Sequence, residues 1–195
     1  MSNLVITAAC KVTPADLKTA RFGPRFGRLD LASQLALVAV ESLAIDFDKW
    51  PRERIGVCLS ACAGSLSTDV EYWKGRDALG GPSPTLFAYT LPSAAMGEVA
   101  IRHKLMGPNL CFTGGDSMLL TEAAELICRG EADAVVCLGL KVLTPAAARM
   151  IGGDAGASAI AIFLTRAGQG MPLPPRENDR DMERLCARFC ALKSE

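Results

Sequence analysis

The sequence predicts an α/β fold built on a five-stranded, mostly parallel sheet that helices cover on both faces. Half of the 195 residues are hydrophobic, which is enough for a substantial core and suggests one domain, or two at most. Five apolar runs without polar alternation are separated by helix-like segments, so we expect strands buried on both faces. The predicted strands are residues 3–10, 54–60, 110–113, 132–140 and 157–165.

Helix signals separate these strands. Asp30 is a predicted N-cap, and Pro92 suits the first turn of a later helix. Residues 176–193 carry apolar side chains at helical spacing, which predicts an amphipathic tail helix after a linker. The predicted division is therefore a domain over residues 1–168, followed by a linker and tail helix over residues 169–195.

The charge balance and the cysteines indicate the expected environment. The 21 basic and 21 acidic residues cancel, whereas nucleic-acid-binding proteins usually carry a basic excess. No apolar run reaches the roughly 18 residues of a membrane span, and the N-terminus lacks the basic segment of a signal peptide. Half of the eight cysteines lie inside apolar runs, where a reduced thiol behaves as a small hydrophobic group. We therefore expect a cytoplasmic protein that binds neither nucleic acid nor membrane.

The most informative stretch is residues 107–130, with the sequence GPNLCFTGGDSMLLTEAAELICRG. A short apolar strand leads into a sharp turn at Gly114 and Gly115. Asp116 and Ser117 then offer oxygen atoms to the free amides of a helix start. Several enzyme folds mount a nucleophile on such a corner, because helix amides and the helix dipole favour negative charge there.

The order and spacing of several segments resemble the N-terminal half of the β-ketoacyl synthases, which have the thiolase fold. Similar segments include LVITAACKVTP at the first strand, FGRLDLASQLALVAVESL at the first long helix, RIGVCLSACAGS at the second strand and GASAIAIFLTR at the last. The resemblance covers most of residues 3–165. It implies a thiolase-like half with a mixed sheet.

Three departures from that family bear on activity. Active ketosynthases have a cysteine at the turn, where this chain has TGGDS; either Asp116 or Thr113 occupies the nucleophile position, depending on the direction of counting. Those enzymes also take two histidines from a C-terminal half that we do not expect here, and the only histidine is His103. The connector after the first strand is also shorter. The chain therefore resembles stand-alone, chain-length-factor-type pseudo-ketosynthases, and we expect no ketosynthase activity.

Residues in and beside the turn each have a chemical and a structural interpretation. The helix N-terminus would hold Asp116 as an anion, which is a weak nucleophile, so a capping or first-turn role is favoured. Thr113 or Ser117 would need an adjacent base, and none is near in sequence. Cys111 lies in mid-strand, away from groups that stabilise a thiolate, and is the alternative nucleophile. The turn is thus interpreted as degenerate, without a catalytic residue.

The histidine and two cysteine pairs are further candidate functional residues. His103 is flanked by basic residues on a predicted helix, which favours a surface or interface position over the role of a base. The pairs Cys58/Cys62 and Cys186/Cys190 have C-x-x-x-C spacing, whereas structural zinc sites usually use C-x-x-C or a histidine pair. We therefore expect no metal and no cofactor.

The connector after the first strand is basic. Acyl carrier proteins are acidic, so a basic patch would attract one, although a solvated loop face explains the same residues. The candidate carrier-protein site is Lys18, Arg21, Arg25 and Arg28.

The resemblance further implies a subunit that pairs with another chain. Family dimers pair the strand before the turn across a two-fold axis, so the implied interface is Leu110, Cys111, Phe112, Thr113 and Met96. The partner would be a second copy or a complete ketosynthase, and the chain would act as a non-catalytic partner or scaffold in type II fatty-acid, polyketide or polyene synthesis.

Two other functions stay open at this point. One is a divergent acyltransferase or thioesterase-like enzyme that uses Cys111, Thr113 or Ser117. The other is a homodimeric half-domain resembling an ancestral thiolase unit, in which two copies replace the two halves of the usual chain.

Overall fold

The computed structural model describes residues 4–18, 22–77, 80–166, 169–175 and 180–193. Its strands are β1 (Val5–Val12), β2 (Ile55–Ala61), β3 (Asn109–Thr113), β4 (Ala134–Leu143), β5 (Gly156–Thr165) and β6 (Met171–Pro172). Its helices are α1 (Leu31–Ser42), α2 (Leu66–Gly75), α3 (Pro84–Phe87), α4 (Ala94–His103), α5 (Ser117–Cys128), α6 (Pro145–Ile151) and α7 (Met182–Leu192). Within the described residues, no helix is long and apolar enough to cross a membrane.

The six strands form one mixed sheet in the order β3-β2-β4-β5-β1-β6. The mixed sheet with helices on both faces is confirmed, but the expected predominance of parallel pairs is not. Only β3–β2 and β2–β4 are parallel, whereas β4–β5, β5–β1 and β1–β6 are antiparallel. Helical layers on both faces make any strand apolar throughout, so this pattern does not reveal strand direction. The sixth strand lies inside the predicted linker.

Alternate side chains of each central strand point into two cores, one on each face of the sheet. On one face, Val57 and Leu59 of β2 pack in the same cluster as α1 and α4. On the other face, Cys58 packs in the same cluster as α5 and α7. The molecule therefore has three layers, with helices above and below the sheet.

Two helix starts show how the sequence directs this arrangement. The Asp30 carboxylate accepts a hydrogen bond from the Ser33 amide at 3.0 Å, which confirms the predicted N-cap of α1. In the tail, Asp181 caps α7 in the same way, by accepting from the Arg184 amide at 2.8 Å. The predicted tail helix is present, and its apolar stripe packs on the sheet beside α5 through Met182, Leu185, Cys186 and Phe189.

Strand β3 lies at one edge of the sheet, and this corrects the prediction of a buried strand there. Asn109, Cys111 and Thr113 are exposed, whereas Leu110 and Phe112 are half-buried against the α5 layer. The sequence of β3 is apolar enough for a buried strand, yet among the described strands only β2 pairs with it. Its apolar character is therefore not explained by the fold of one copy.

Candidate functional site

The turn after β3 is held against the neighbouring strand β2. Gly114 has φ +116°, a conformation that glycine adopts without strain. Its amide donates to the Ala61 carbonyl at 3.2 Å, and its carbonyl accepts from Ser60 Oγ at 3.0 Å. These two contacts fix the corner at the end of β3, immediately before α5 begins.

Asp116 occupies the corner but does not cap α5, so the predicted capping role is wrong. It is the N-cap residue by position, yet its side chain accepts no bond from the first-turn amides. The carboxylate instead lies over Gly139 of β4: a Cβ atom at residue 139 would be 3.1 Å from Asp116 Oδ2 and 3.0 Å from Met182 Sδ. The Ser60 hydroxyl, which donates to the Gly114 carbonyl, also lies within hydrogen-bonding reach of this carboxyl group. The carboxylate is thus held between the sheet and the first turn of α7.

This location changes the acidity of Asp116. Burial raises its pKa above the usual aspartate range, and the nearby carboxylates of Asp181 and Glu183 raise it further, while the Ser60 hydrogen bond lowers it. Met182, which contacts this corner, is fully buried. A carboxyl group that is partly buried between the sheet and α7 offers little access to an acyl substrate, and as an anion it would repel the developing oxyanion of acyl transfer.

The free edge of β3 is the second feature of this region. Its exposed residues Cys111 and Thr113 lie next to further apolar surface. Thr113 Cγ2 and Pro92 Cγ both face Gly64, and the neighbouring Leu91 is 64% exposed. Met118, in the first turn of α5, is 54% exposed. Sequence analysis missed Leu91 and Met118. A signal for Met118 was available, because an apolar residue that lies off the buried face of its helix is expected to be exposed.

The family follows from a comparison of the whole chain with known protein families. The profile described as β-ketoacyl synthase, N-terminal domain, matches residues 9–160. The chain belongs to this family. The match runs from within β1 through β4 and includes the turn and α5, so the corner occupied by Asp116 lies within the ketosynthase domain. No curated protein sequence matches the chain.

Several solved structures share this ketosynthase fold. The ishigamide ketosynthase/chain length factor aligns with a TM-score of 0.72 and 22% identity over 88% of this chain and 64% of that one. A ketosynthase (ApeO) in complex with its chain length factor (ApeC) from Xenorhabdus doucetiae aligns at 0.64 and 18%, over 85% and 80%. A type II PKS acyl-carrier protein in complex with its ketosynthase bound to the hexaketide (AntDE:AntF) aligns at 0.67 and 18%, over 85% and 62%.

These likenesses establish the fold. The chain spans less than two thirds of the ishigamide and AntDE:AntF chains that it matches, at 64% and 62% of their lengths. Substrates and partners of those proteins are therefore not transferred by the alignment alone. The function of this ketosynthase-like chain has to be inferred from its own residues.

The other candidate nucleophiles lack activating neighbours in the described residues. Cys111 is exposed, and partial burial raises the pKa of its thiol, which disfavours the reactive thiolate. The methyl group of Thr113 faces Gly64 and Pro92. The side chain of Ser117 lies outside what the structure describes.

His103 lies far from the corner. Its carbonyl accepts from Arg52 Nη1 at 2.9 Å, near the start of β2, whereas the corner adjoins Ala61 at the end of that strand. Seven residues of strand separate the two ends by about 20 Å. The imidazole packs on Phe47 with ring centroids 5.1 Å apart, and burial lowers its pKa. His103, for which the sequence suggested a surface or interface position, is therefore a partly buried packing residue.

The cysteine pairs do not form a metal site in the part of the chain that is described. No group of three or more His, Cys, Asp or Glu side chains lies close enough to hold an ion. Cys58 lies opposite Cys137 in the β2–β4 register, and burial raises the pKa of the Cys58 thiol to about 12. Burial likewise raises the pKa of Cys186 to about 12. These buried thiols serve as core residues.

The basic connector is partly neutralised. Arg25 forms an ion pair with Glu98 at 2.8 Å, and Tyr89 donates to the same carboxylate at 3.2 Å. Lys18 and Arg28 are exposed. Arg21 lies outside the described residues. The carrier-protein site suggested by sequence therefore stays a prediction that depends on two exposed cations.

Proposed function

We propose that this chain is a non-catalytic ketosynthase-like subunit that pairs with another chain through the free edge of β3. The observation that carries the proposal is a contrast within one short stretch. The corner that would hold a nucleophile holds a carboxyl group partly buried beside Met182, while the strand leading into it offers an unpaired edge. We further propose a role in type II fatty-acid, polyketide or polyene synthesis in the cytoplasm.

The chemistry of the corner supports a non-catalytic role. Acyl transfer requires an accessible nucleophile, a base to accept its proton and donors for the oxyanion. Asp116 lies between the sheet and α7, and His103 lies about 20 Å away at the other end of β2. The corner can therefore form part of a pocket wall or an interface. Its described side chains do not supply the accessible nucleophile and base that carbon–carbon bond formation needs.

The complexes formed by the structural neighbours suggest two binding partners. One neighbour is a ketosynthase with its chain length factor, and another is a ketosynthase with an acyl-carrier protein. We propose a complete ketosynthase or a second copy at the β3 edge. An acidic carrier protein is proposed at Lys18 and Arg28, with Arg25 available only if its pair with Glu98 opens.

Co-purification tests the partner role. The tagged chain is produced in its native host, and the captured proteins are identified by mass spectrometry alongside the native mass of the complex. We expect a ketosynthase to be captured, and we expect Cys111→Pro to reduce capture, while Cys128→Ser on α5 serves as the control. A monomer that captures no ketosynthase contradicts the proposal.

Acylation tests the enzymatic alternative. The chain is incubated with acyl-coenzyme A or an acyl-carrier thioester, and its intact mass is measured. We expect no adduct on Cys111, Thr113 or Ser117. A stoichiometric adduct that peptide mapping assigns to one of these residues, and that its alanine variant removes, supports the acyltransferase or thioesterase-like function instead.

A further inference from the structure

Arg180 differs from most arginines of the described chain in the kind of partner it has. Six others form ion pairs with acidic side chains: Arg25, Arg52, Arg54, Arg76, Arg102 and Arg129. The guanidinium of Arg180 donates instead to uncharged acceptors. Nε donates to the Pro174 carbonyl at 3.0 Å, Nη2 to the Pro175 carbonyl at 3.4 Å, and Nη1 to Thr121 Oγ1 at 3.1 Å. The guanidinium is therefore fixed in position, while no described carboxylate pairs with its charge.

The same guanidinium keeps hydrogen-bonding capacity for an external anion. It has five N–H groups, and the three contacts leave one N–H on each terminal nitrogen without an acceptor among the described residues. Arg166 also donates to backbone carbonyls, but these end α5, where the helix dipole supplies negative charge. Arg180 has no such compensation and is half-buried. A preorganised guanidinium in this state is suited to a carboxylate or phosphate oxygen.

Arg180 lines a groove of about 670 Å³ between α5 and the first residues of β1. Leu4 and Ala124 are buried members of the core beneath α5, and Leu173 packs against that core. The other apolar lining residues are Val5, Pro172, Pro174 and Pro175. The volume lies within the roughly 300–1,000 Å³ of sites that bind small organic molecules. An apolar groove with one fixed cation is complementary to an anionic head group on an apolar body.

Helix α5 limits the length and the charge of this ligand. The groove extends from Arg180, which contacts Thr121, to Cys128. Those two residues of α5 are about 10 Å apart along the helix axis, which is the length of an extended medium-chain acyl group. Glu125 lies on the groove one turn after Thr121 and is exposed. Its carboxylate would repel a second anionic group, so the ligand has one acidic end.

We propose that this groove binds a medium-chain monocarboxylate, with its carboxylate on Arg180 and its chain along Leu4, Ala124 and Leu173. A carboxylate matches the site better than a phosphate monoester, because a second negative charge would have no partner and would lie near Glu125. The inference goes beyond the partner role and does not depend on it. The groove lies beside β1 and β6, at the opposite side of the sheet from β3.

Calorimetric titration of the purified full chain with octanoate tests the site. We expect saturable binding of one octanoate per chain, and at least about tenfold weaker binding of octan-1-ol, which has the same chain without the charge. Arg180→Gln should weaken octanoate binding by a similar factor. Arg188→Gln removes an exposed cation from α7 and is the matched control, which should bind normally. Absence of saturable octanoate binding, or equal binding of octan-1-ol, overturns the proposal.

The other variants separate the carboxylate from related ligands. Glu125→Gln should bind octanoate at least as tightly as the original chain, because it removes a like charge. Loss of binding in Glu125→Gln indicates a cationic group on the ligand and overturns the monocarboxylate. Tighter binding of octyl phosphate than of octanoate assigns the head group to a phosphate and overturns it as well.

Photo-cross-linking locates the ligand on the original chain and does not depend on how a variant folds. An octanoate analogue with a diazirine at the end of its chain is activated, and the labelled peptides are mapped by mass spectrometry. We expect labels within residues 124–128 or 172–175, suppressed by excess octanoate; labels elsewhere overturn the proposal. Thermal unfolding checks Arg180→Gln: a folded variant that retains full affinity overturns the proposal, and if the variant unfolds, the octan-1-ol comparison and the label decide. The capture of a ketosynthase is unaffected by any of these results.

Discussion

The two edges of the sheet are constructed in opposite ways. The β6 edge is closed by the chain itself: β6 has two residues, and the second, Pro172, has no amide hydrogen to donate. The amide of Leu173 donates back to the Leu4 carbonyl at 2.9 Å. The β3 edge has five residues, no proline and three outward-facing backbone units. One sheet therefore protects one edge and leaves the other available to a second chain.

The side chains beside the two edges also differ in packing and exposure. Next to the closed edge, α7 packs on β1, and Lys11 of β1 pairs with Glu183 of α7 at 2.5 Å. On the side of the open edge, the exposed side chains include the uncharged Cys111, Leu91 and Met118. We therefore expect stability to depend mainly on one side of the sheet and partner binding on the other. Four substitutions test this division.

The largest effect is expected from Phe189→Ala, which breaks the packing of α7 near the closed edge. Phe189 is 5% exposed in the core shared with α5, so its removal should lower the free energy of unfolding by about 3–5 kcal/mol. Urea unfolding measures the loss. Leu192→Ala, on the same helix but 54% exposed, is the control and should change stability by about 0.5 kcal/mol or less. Equal effects would show that α7 is not packed as described.

Gly170→Ala should damage the closed edge directly. A Cβ atom at residue 170 would overlap the backbone carbonyl of Ile6 in β1, and backbone cannot move aside as a flexible side chain can. We expect a loss of about 3 kcal/mol, measured by thermal and urea unfolding. Gly115→Ala is the matched control, because a Cβ there meets no atom within 4 Å. A neutral Gly170→Ala would mean that β6 does not pair with β1.

Cys111→Pro should weaken the open edge without unfolding the chain. Proline lacks the amide hydrogen that residue 111 directs away from β2, so the β3–β2 bonds remain, while the two bonds that these amides would donate in a pair of β3 edges from two copies disappear. At about 1 kcal/mol each, their loss corresponds to a dimer dissociation constant about thirtyfold higher. Sedimentation across a concentration series measures this change. Cys111→Ser keeps the amide and should dimerise normally; equal weakening by both variants would place the cause in the side chain.

The smallest effect is expected from Asp116→Asn, at the end of the open edge. The raised pKa of Asp116 means that the folded chain holds this proton more tightly than the unfolded chain. Its contribution is therefore fully present below the unfolded pKa of about 4 and is lost as pH rises through the folded pKa. The asparagine variant should be more stable at pH 7, by less than about 1 kcal/mol because the group is partly exposed, and should match the original chain near pH 3.

Unfolding at several pH values checks this sign. Asp154→Asn, at an exposed position, is the matched control for replacing an aspartate with asparagine. A variant of Asp116 that is less stable than the original chain at pH 7 would show that the charged carboxylate stabilises the corner.

Much of the fold could be predicted from local sequence, but the corner could not. Apolar runs predicted four central strands, and Asp30 marked the start of α1 because a cap depends on neighbours three residues away. The position of Asp116 depends on Gly139 and Met182, which are distant in sequence and have no shared pattern with it. Local propensity therefore favoured a cap, whereas tertiary packing placed the carboxylate inside.

Strand β3 and strand β6 were misjudged for different physical reasons. An apolar run such as residues 110–113 is the same whether a helix layer, a neighbouring strand or another molecule covers it, so the sequence did not distinguish an interior strand from an edge. A two-residue strand such as Met171–Pro172 has no periodicity at all. Its pairing is set by how the chain returns to β1, which only the three-dimensional structure reveals.

The segment that matches the ketosynthase family is shorter than the segment that packs together, and the tail helix lies outside the match. The ketosynthase profile ends at residue 160, inside β5, whereas the helix that packs beside Asp116 begins at Met182. A fragment cut at the limit of homology would lose the second half of β5 and the part of the sheet cover that α7 provides beside α5. An expressed fragment of this protein should therefore include every strand and helix that packs on the sheet. It should extend at least to Leu192, well beyond the end of the family match.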